Sequence, residues 1–249
     1  MTFGRRVLAG VAAMAALLAG GAAVAQPATL TLYVSEIPGQ SDRSAAAPGI
    51  GIELVQRAAT AANLAIIVQF VPWVRATVEA SRSETGLVLP LTRLPEREAG
   101  YTWIAPLYDL DLGFVALARR IDSLAAADGE KLIGVWRGTS HETQLRQAGL
   151  INLAAIADDH TLLQLLLTDR ISAWFGAFPE ILEHWRRLPD DRRPAGRVLT
   201  FGTPITRDTV WLAGGKTFPP ALAQRLGAAI AAEQQSDDFA DLRRRYLGR

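Results

Sequence analysis

The chain has 249 residues, with 26 Lys and Arg, 25 Asp and Glu, three His and no Cys. A formal net charge of +1 argues against nucleic-acid binding, because that function needs an excess of cations to neutralise phosphates. The lack of cysteine excludes disulfides, thiolate metal ligands and a cysteine nucleophile. With 49% hydrophobic residues, the chain is able to build one large domain or two small ones with buried cores.

The first 25 residues have the pattern of a secretory signal peptide. Two arginines precede an uncharged run rich in Ala, Leu and Gly, Val7 to Val24, and an Ala-Val-Ala cleavage site ends at Ala25. An uncleaved membrane anchor is the alternative, which the small residues of the run and the cleavage site disfavour. We therefore expect residues 1–25 to be removed and the mature protein to be soluble and periplasmic.

Strand and helix patterns alternate along the rest of the chain. The first unit is predicted as strand Thr29–Ser35, helix Ile52–Ala62, strand Leu64–Val71, helix Pro72–Ala80 and strand Gly86–Leu91. An extended stretch without helical period follows over Tyr101–Leu117. The second unit is predicted as strand Leu132–Trp136, helix Ser140–Gln147, strand Ile151–Ala155, helix Asp158–Leu167, strand Ile171–Phe175 and helix Pro179–Leu188. A loop at Leu188–Pro194, a strand at Thr209–Ala213 and helices at Pro220–Gln235 and Asp237–Tyr246 come next. This alternation predicts an α/β fold with parallel strands, whose ligands bind at the carboxyl ends of the strands.

Four segments are the most distinctive of the chain. They are Pro48–Leu54 (P-G-I-G-I-E-L), Val71–Ala76 (V-P-W-V-R-A), Leu91–Glu98 (L-T-R-L-P-E-R-E) and Ile133–Ser140 (I-G-V-W-R-G-T-S). In their order and spacing they resemble the extracytoplasmic solute-binding proteins of ABC transporters, in the polar amino-acid-binding branch known as bacterial family 3. The resemblance extends over essentially the whole mature chain.

This resemblance implies the type II fold of periplasmic binding proteins, in which two α/β lobes are joined by two crossing hinge strands. It places lobe 1 at residues 26–117 and 207–249 and lobe 2 at residues 118–206, with crossings near Phe114–Arg120 and Gly202–Arg207. The ligand is expected in the cleft between the lobes, and hinge closure is the expected response. The implied partners are a small-molecule ligand and the membrane permease subunits of an ABC transporter. We expect a monomer that needs no cofactor and binds no nucleic acid.

Arg97 is the first candidate for ligand binding. In the family, the Arg at this position of the turn binds the carboxylate of the ligand, and a planar guanidinium suits such a two-bond contact. Arg93 and Arg75 are alternative contacts. The structural alternative for Arg97 is an exposed arginine that pairs with Glu96 or Glu98.

A second group of candidates surrounds a predicted helix start. Thr92 matches a family hydroxyl position beside the ligand, and Gly138, Thr139 and Ser140 lead into the helix. Thr139 and Glu142 have the spacing of a capping box. Free N–H groups at such a helix start also bind carboxylates, so capping and ligand contact are compatible.

Two further candidates and two departures from the family pattern complete the predicted site. Trp73 is placed to form a wall of the cleft, and Glu36 is placed to meet a cationic group; helix packing and a solvated loop acid are the alternatives. Pro90 stands where amino-acid binders often carry Ser. Gly176-Ala177-Phe178 stands where members that hold an α-ammonium usually carry Asp. Because a buried ammonium without a counter-charge is costly, we expect another small carboxylate or polar solute rather than a standard α-amino acid.

The sequence therefore predicts a periplasmic binding protein that captures a small polar, carboxylate-bearing ligand, an amino acid or related organic acid, for ABC-type uptake. The alternatives are a sensory or orphan ligand-binding module and a periplasmic dehydratase on the same fold. We expect no catalysis, since no G-x-S-x-G, H-E-x-x-H or G-x-G-x-x-G motif is present. We also expect no metal site, because His141, His160 and His184 lack the spacing of metal ligands.

Overall fold

The structure, a computed structural model, describes residues 27–248, so the predicted signal peptide lies outside the described residues. The strands are β1 (Ala28–Val34), β2 (Leu64–Phe70), β3 (Gly86–Thr92), β4 (Tyr101–Leu117), β5 (Ile133–Trp136), β6 (Leu153–Ile156), β7 (Ala173–Ala177), β8 (Leu199–Phe201) and β9 (Thr206–Gly215). The helices are α1 (Ile50–Ala61), α2 (Trp73–Arg82), α3 (Leu124–Asp128), α4 (Ser140–Gln147), α5 (Asp159–Leu167), α6 (Phe178–Arg186), α7 (Pro220–Glu233) and α8 (Asp237–Leu247). Two 3-10 turns lie at Pro95–Gly100 and Asp190–Arg192. Within residues 27–248, no helix combines the length and the apolar character that crossing a bilayer requires.

The described strands form one mixed sheet in the order β2-β1-β3-β9-β4-β7-β5-β6, with β8 paired to β4. β1 is parallel to β2 and β3, and β5 is parallel to β6 and β7. β9 is antiparallel to β3 and to β4. The two parallel groups are the two α/β units predicted from the sequence, so the prediction of an α/β fold is confirmed.

The long strand β4 connects the two parallel groups. Its residues from Tyr101 to Leu112 pair with β9, and those from Leu112 to Leu117 pair with β7 and β8. The strand therefore passes from one group to the other near Leu112, a few residues before the boundary at Leu117 that the sequence resemblance implies. The division into lobe 1 (26–117 and 207–249) and lobe 2 (118–206) remains our proposal, and we use these names below.

Alternating burial fixes which face of each strand meets the helices. Leu30, Leu32 and Val34 of β1 are all fully buried, as the period of two in a strand requires. They belong to an apolar cluster that continues through both lobes to Phe114 and Phe175. On the opposite face a second cluster packs α2 and α5 against the sheet. Both lobes therefore have cores that hold the ends of their strands in place.

The strand β7 differs from its predicted position, and the difference affects the site. The sequence predicts a strand at Ile171–Phe175, whereas the structure has Ala173–Ala177. Asp169 is left-handed with φ 56°, and the N–H of Ile171 donates to the Leu165 carbonyl at 3.3 Å, so Ile171 still belongs to the turn. As a result α6 begins at Phe178, directly where the strand reaches the cleft.

Candidate ligand-binding cleft

A small cavity of about 40 Å³ lies where the carboxyl ends of β1, β3 and β5 meet the start of α6. This volume has room for about three water molecules or one small polar group. We call it the inner cavity. Its polar side chains come from both proposed lobes, and they are Gln40, Thr92, Arg97, Thr139, Ser140, His141 and Glu180.

Arg97 reaches the inner cavity from the 3-10 turn. Its Nη1 donates to the Thr92 carbonyl at 3.0 Å, and its Nη2 donates across the cleft to the Gly138 carbonyl at 3.3 Å. Burial lowers the pKa of Arg97 below its usual value, but a guanidinium stays charged in proteins. Two of its five N–H donors are used in these bonds, so donors remain for a ligand.

Among residues 27–248, the alternative for Arg97, pairing with Glu96 or Glu98, is not found. Glu98 is instead held by Arg93, whose Nε and Nη2 donate to the two carboxylate oxygens at 2.6 and 2.9 Å. The Arg93 guanidinium also stacks on Trp103 and Trp211, 5.3 and 5.1 Å from the ring centroids. Arg93 therefore lies on the outer surface, and Arg97 is the arginine of this turn that enters the cleft.

The start of α4 forms the opposite side of the cavity, but it is not the predicted capping box. The Thr139 hydroxyl donates to the Trp136 carbonyl at 2.7 Å, and Glu142 accepts from the Gly138 N–H at 2.8 Å. Gly138 has φ +73°, which turns its own N–H, rather than that of Thr139, toward Glu142. The Ser140 hydroxyl donates to the Thr92 hydroxyl at 3.0 Å, across the cleft. The first N–H groups of α4 have no partner within the helix, so they add donors near Arg97.

Two tryptophans separate the inner cavity from a larger outer cleft. Trp73 and Trp136 line both, their ring centroids are 6.3 Å apart, and the Trp73 Nε1–H donates to the Gly138 carbonyl at 3.2 Å. The outer cleft has a volume of about 730 Å³. Trp73 thus lies where the sequence suggested a cleft wall. Trp136 ends β5, a position typical of a core residue, and it does belong to the second apolar cluster while also lining the cleft. Its place just before the Gly138 turn is the sequence signal for this second role.

Glu36 and Arg75 lie away from the inner cavity. Glu36 lines the outer cleft, where its carboxylate pairs with Arg43 at 2.9 Å. Arg75 is exposed, pairs with Glu79 at 3.2 Å and lines neither space. Two residues along a helix correspond to about 200° of rotation, so Arg75 points away from the side of α2 that carries Trp73.

A buried polar chain, which sequence reasoning missed, forms the far wall of the inner cavity. The Tyr108 hydroxyl donates to Gln40 Oε1 at 3.1 Å, and Gln40 Nε2 donates to Glu180 Oε2 at 3.2 Å. Burial, reinforced by the nearby Asp159, raises the pKa of Glu180 well above its usual value. The cleft therefore does carry a carboxyl group, supplied by the first turn of α6 instead of the Gly176-Ala177-Phe178 segment.

His141 lies half-buried at the cavity wall, with its ring against the edge of Phe175 at 6.3 Å. Burial lowers its pKa to about 4, with the Arg97 charge acting in the same direction and Asp208 opposing it. His141 is thus neutral at neutral pH, and Arg97 is the cation at this wall.

We expect this histidine to make the protein less stable as the pH falls from about 6.5 to about 4. The unfolded chain binds the proton near 6.5 and the native state near 4, so in this window the unfolded state holds more protons. At pH 5 the loss amounts to about 2 kcal/mol. Urea unfolding at about pH 7 and pH 5 should show that His141→Gln removes this part of the pH dependence. His160→Gln, at an exposed position, is the control, and an unchanged pH dependence in His141→Gln would contradict the assignment.

No family model matches the sequence, and no curated protein sequence does either. Solved structures match over most of the chain. A histidine kinase sensor domain with similarity to periplasmic binding proteins has a TM-score of 0.79 at 13% identity, covering 90% of this chain and 97% of that one. ArtJ of Geobacillus stearothermophilus, an arginine-, lysine-, histidine-binding protein, has a TM-score of 0.76 at 13% identity, covering 89% and 96%. AncCDT-1, an ancestral amino acid-binding protein and precursor of cyclohexadienyl dehydratase, has a TM-score of 0.72 at 15% identity, covering 88% and 94%.

These similarities establish the fold. The chain has the type II fold of periplasmic binding proteins, as the sequence resemblance implied.

Proposed function

We propose that the protein is a periplasmic solute-binding protein that closes its two lobes around a small, carboxylate-bearing ligand for ABC-type uptake. One observation carries the proposal. The Arg97 guanidinium faces the inner cavity with hydrogen bonds to main-chain carbonyls, and no carboxylate among residues 27–248 forms an ion pair with it. A ligand carboxylate would supply the missing counter-charge.

The surroundings of Arg97 favour an anionic group over a neutral one. The hydroxyl groups of Thr92 and Ser140 and the N-terminus of α4 lie on the same cavity. Helix N-termini carry a partial positive charge and free N–H donors, which stabilise a carboxylate. Together with the guanidinium they form a site that suits two carboxylate oxygens.

The far wall of the cavity suggests what else the ligand carries. Gln40 and Glu180 place polar atoms opposite the Arg97 side. A ligand that fills the cavity therefore needs a polar group, amino or hydroxyl, at the end away from its carboxylate, as in an amino acid or a related hydroxy acid. The cavity volume of about 40 Å³ limits the part of the ligand that is fully enclosed, and a longer ligand would extend past Trp73 toward the outer cleft.

Contacts between the proposed lobes support closure as the response. Trp73 and Arg97 of lobe 1 both donate to the Gly138 carbonyl of lobe 2. An ion pair of 2.5 Å joins Asp42 to Arg187 at another point of the cleft. Because several of these groups also line the inner cavity, ligand contact and lobe contact depend on one another.

A sensory role is the second candidate, favoured by the similarity to the histidine kinase sensor domain. We favour binding over catalysis because most neighbours are binding proteins, although one is a precursor of a dehydratase. The two binding roles share the same cleft and differ in the receiver of the closed form.

Native mass spectrometry of the protein purified from the periplasm, followed by calorimetry and small-angle scattering, tests the proposal. We expect one carboxylate-bearing molecule per chain, a smaller radius of gyration on binding, and at least tenfold weaker binding of its methyl ester. The ligand should be recovered chemically unchanged. Equal affinity for the ester, or no compaction, would contradict the proposal. Deletion of the gene should reduce uptake of the labelled ligand; normal uptake would favour the sensory role.

A further inference from the structure

A cluster of three buried ionisable side chains lies in lobe 2, next to the cleft. It consists of Asp159, the first residue of α5, with Glu180 and His184 of α6, which are four residues apart and so lie on one face of that helix. Their exposed fractions are 5%, 4% and 8%. One potential ligand atom of each lies within 4.8 Å of the others, and His184 Nε2 is 2.6 Å from Asp159 Oδ2. We call these residues the acid–histidine cluster.

Hydrogen bonds from outside the cluster orient both carboxyl groups. Asp159 Oδ1 accepts from the backbone N–H of His160 at 2.9 Å, and Glu180 Oε2 accepts from Gln40 Nε2 at 3.2 Å. Gln40 is held in turn by Tyr108. Each carboxyl group thus has one oxygen held from outside the cluster. The contacts of Asp159 with His184 and with Glu180 lie inside it, and a bound ion would replace them. Outer hydrogen bonds of this kind orient the ligands in known metal sites.

Among residues 27–248, no arginine or lysine forms an ion pair with the acid–histidine cluster. Arg187, one turn along from His184, pairs with Asp42 and Glu183 at 2.5 and 3.0 Å. Among residues 27–248, the ion pair formed by the cluster is the one between its own His184 and Asp159. Buried charges in proteins are paired or coordinate metals. The raised pKa of Glu180 leaves its carboxyl group protonated when no ion is bound, and a divalent cation would take the place of that proton.

We propose that the acid–histidine cluster binds one divalent transition-metal ion, with Zn²⁺ preferred. One imidazole and two carboxylates are ligands that Zn²⁺ accepts at about 2.0–2.2 Å. Donors at that distance in a tetrahedral site lie about 3.4 Å apart, so the contact between His184 and Asp159 would widen by less than about 1 Å. Both of these residues line the outer cleft, which gives the ion a path from solvent and leaves room for a fourth ligand there. The spacing of the histidines in the sequence predicts no metal site, because the cluster contains a single histidine and its two carboxylates come from different helices.

Metal binding by the full chain, expressed without a histidine tag and freed of metal with a chelator, tests the proposal. Calorimetry with Zn²⁺ is expected to show one ion per chain and a higher unfolding temperature with the ion bound. Mn²⁺ should bind more weakly than Zn²⁺, following the general order of affinities. Glu180→Gln keeps the shape of the side chain and removes a ligand oxygen charge, so we expect at least tenfold weaker Zn²⁺ binding with little change in the metal-free unfolding temperature. His184→Gln should weaken binding at least as much.

Two neighbours serve as matched controls. His160 is exposed beside Asp159, and Glu183 lies beside His184, so His160→Gln and Glu183→Gln should leave Zn²⁺ affinity unchanged. Absence of one-to-one binding in the unsubstituted chain would overturn the proposal. Binding that survives both Glu180→Gln and His184→Gln, or that is lost in His160→Gln, would overturn it as well. These readouts do not involve the solute, so their failure is distinct from a failure of the proposed function.

Discussion

Replacing Arg97 by Ala is expected to weaken ligand binding by roughly 1.5–3 kcal/mol, about tenfold to 150-fold. The variant loses the guanidinium group, whose charged N–H donors face the inner cavity from lobe 1. Arg97→Lys should recover only part of the loss, because an ammonium is a point charge and lacks the planar fork. Calorimetry with the molecule identified by native mass spectrometry measures both variants.

The control for this experiment is Arg197→Ala. Arg197 lies away from the cleft, where it pairs with Asp169 on the far side of lobe 2 at 2.5 Å. Its removal should leave the affinity unchanged. Since Arg97 also holds the carbonyls of Thr92 and Gly138, the unfolding temperature of each variant must be compared with that of the unsubstituted chain. Equal affinity in Arg97→Ala would remove Arg97 from the site.

Gly49→Ala is expected to lower the free energy of unfolding by about 3 kcal/mol or more. Gly49 has φ +95° and ψ 153°, a conformation that is essentially restricted to glycine. A Cβ there would lie 2.5 Å from the backbone carbon and oxygen of Gln40, which cannot move aside as a side-chain end would. The Gln40 backbone is held in turn by the N–H of Gly51 at 3.0 Å. The substitution should therefore also disturb the cavity wall formed by Gln40.

The control variant Gly149→Ala separates the cost of a positive φ from the cost of a clash between the new Cβ and the backbone. Gly149 has a similar φ of +86°, but no atom lies within 4 Å of a Cβ placed there. Its substitution should cost only the left-handed conformation, about 1–2 kcal/mol. Urea unfolding of the two variants gives the comparison. If both variants lose the same free energy of unfolding, the Cβ at position 49 does not collide with the Gln40 backbone at any cost, which contradicts the prediction.

Local patterns account for much of the site as well as for most of the elements. The helix α4 has the bounds that its sequence predicts, and Thr92 and Arg97 lie on the cavity that also receives Ser140. These predictions come from short segments, in which hydrophobic periodicity and glycine positions can be read without knowing the rest of the fold. The prediction of a capping box is wrong, and the cause is again local. The positive φ of Gly138 turns the Gly138 N–H toward Glu142, in place of the N–H of Thr139.

The remaining parts of the site come from residues that are distant along the chain. Gln40 and Glu180 are 140 positions apart and meet only because the proposed lobes lie against each other. Trp136 is a core residue at the end of a strand, and its additional contact with the cleft depends on which part of the chain faces it. The acid–histidine cluster likewise requires α5 and α6 to pack side by side.

The sequence by itself determined the alternating α/β elements, the order of the four distinctive segments and the arginine turn, because each depends on residues close together in the chain. Only the tertiary structure decided that Arg97 rather than Arg93 enters the cleft, that Arg75 points outward, and that a buried carboxyl group lies opposite. These outcomes depend on which surfaces are buried when the elements pack, and burial is a property of the whole fold rather than of any segment.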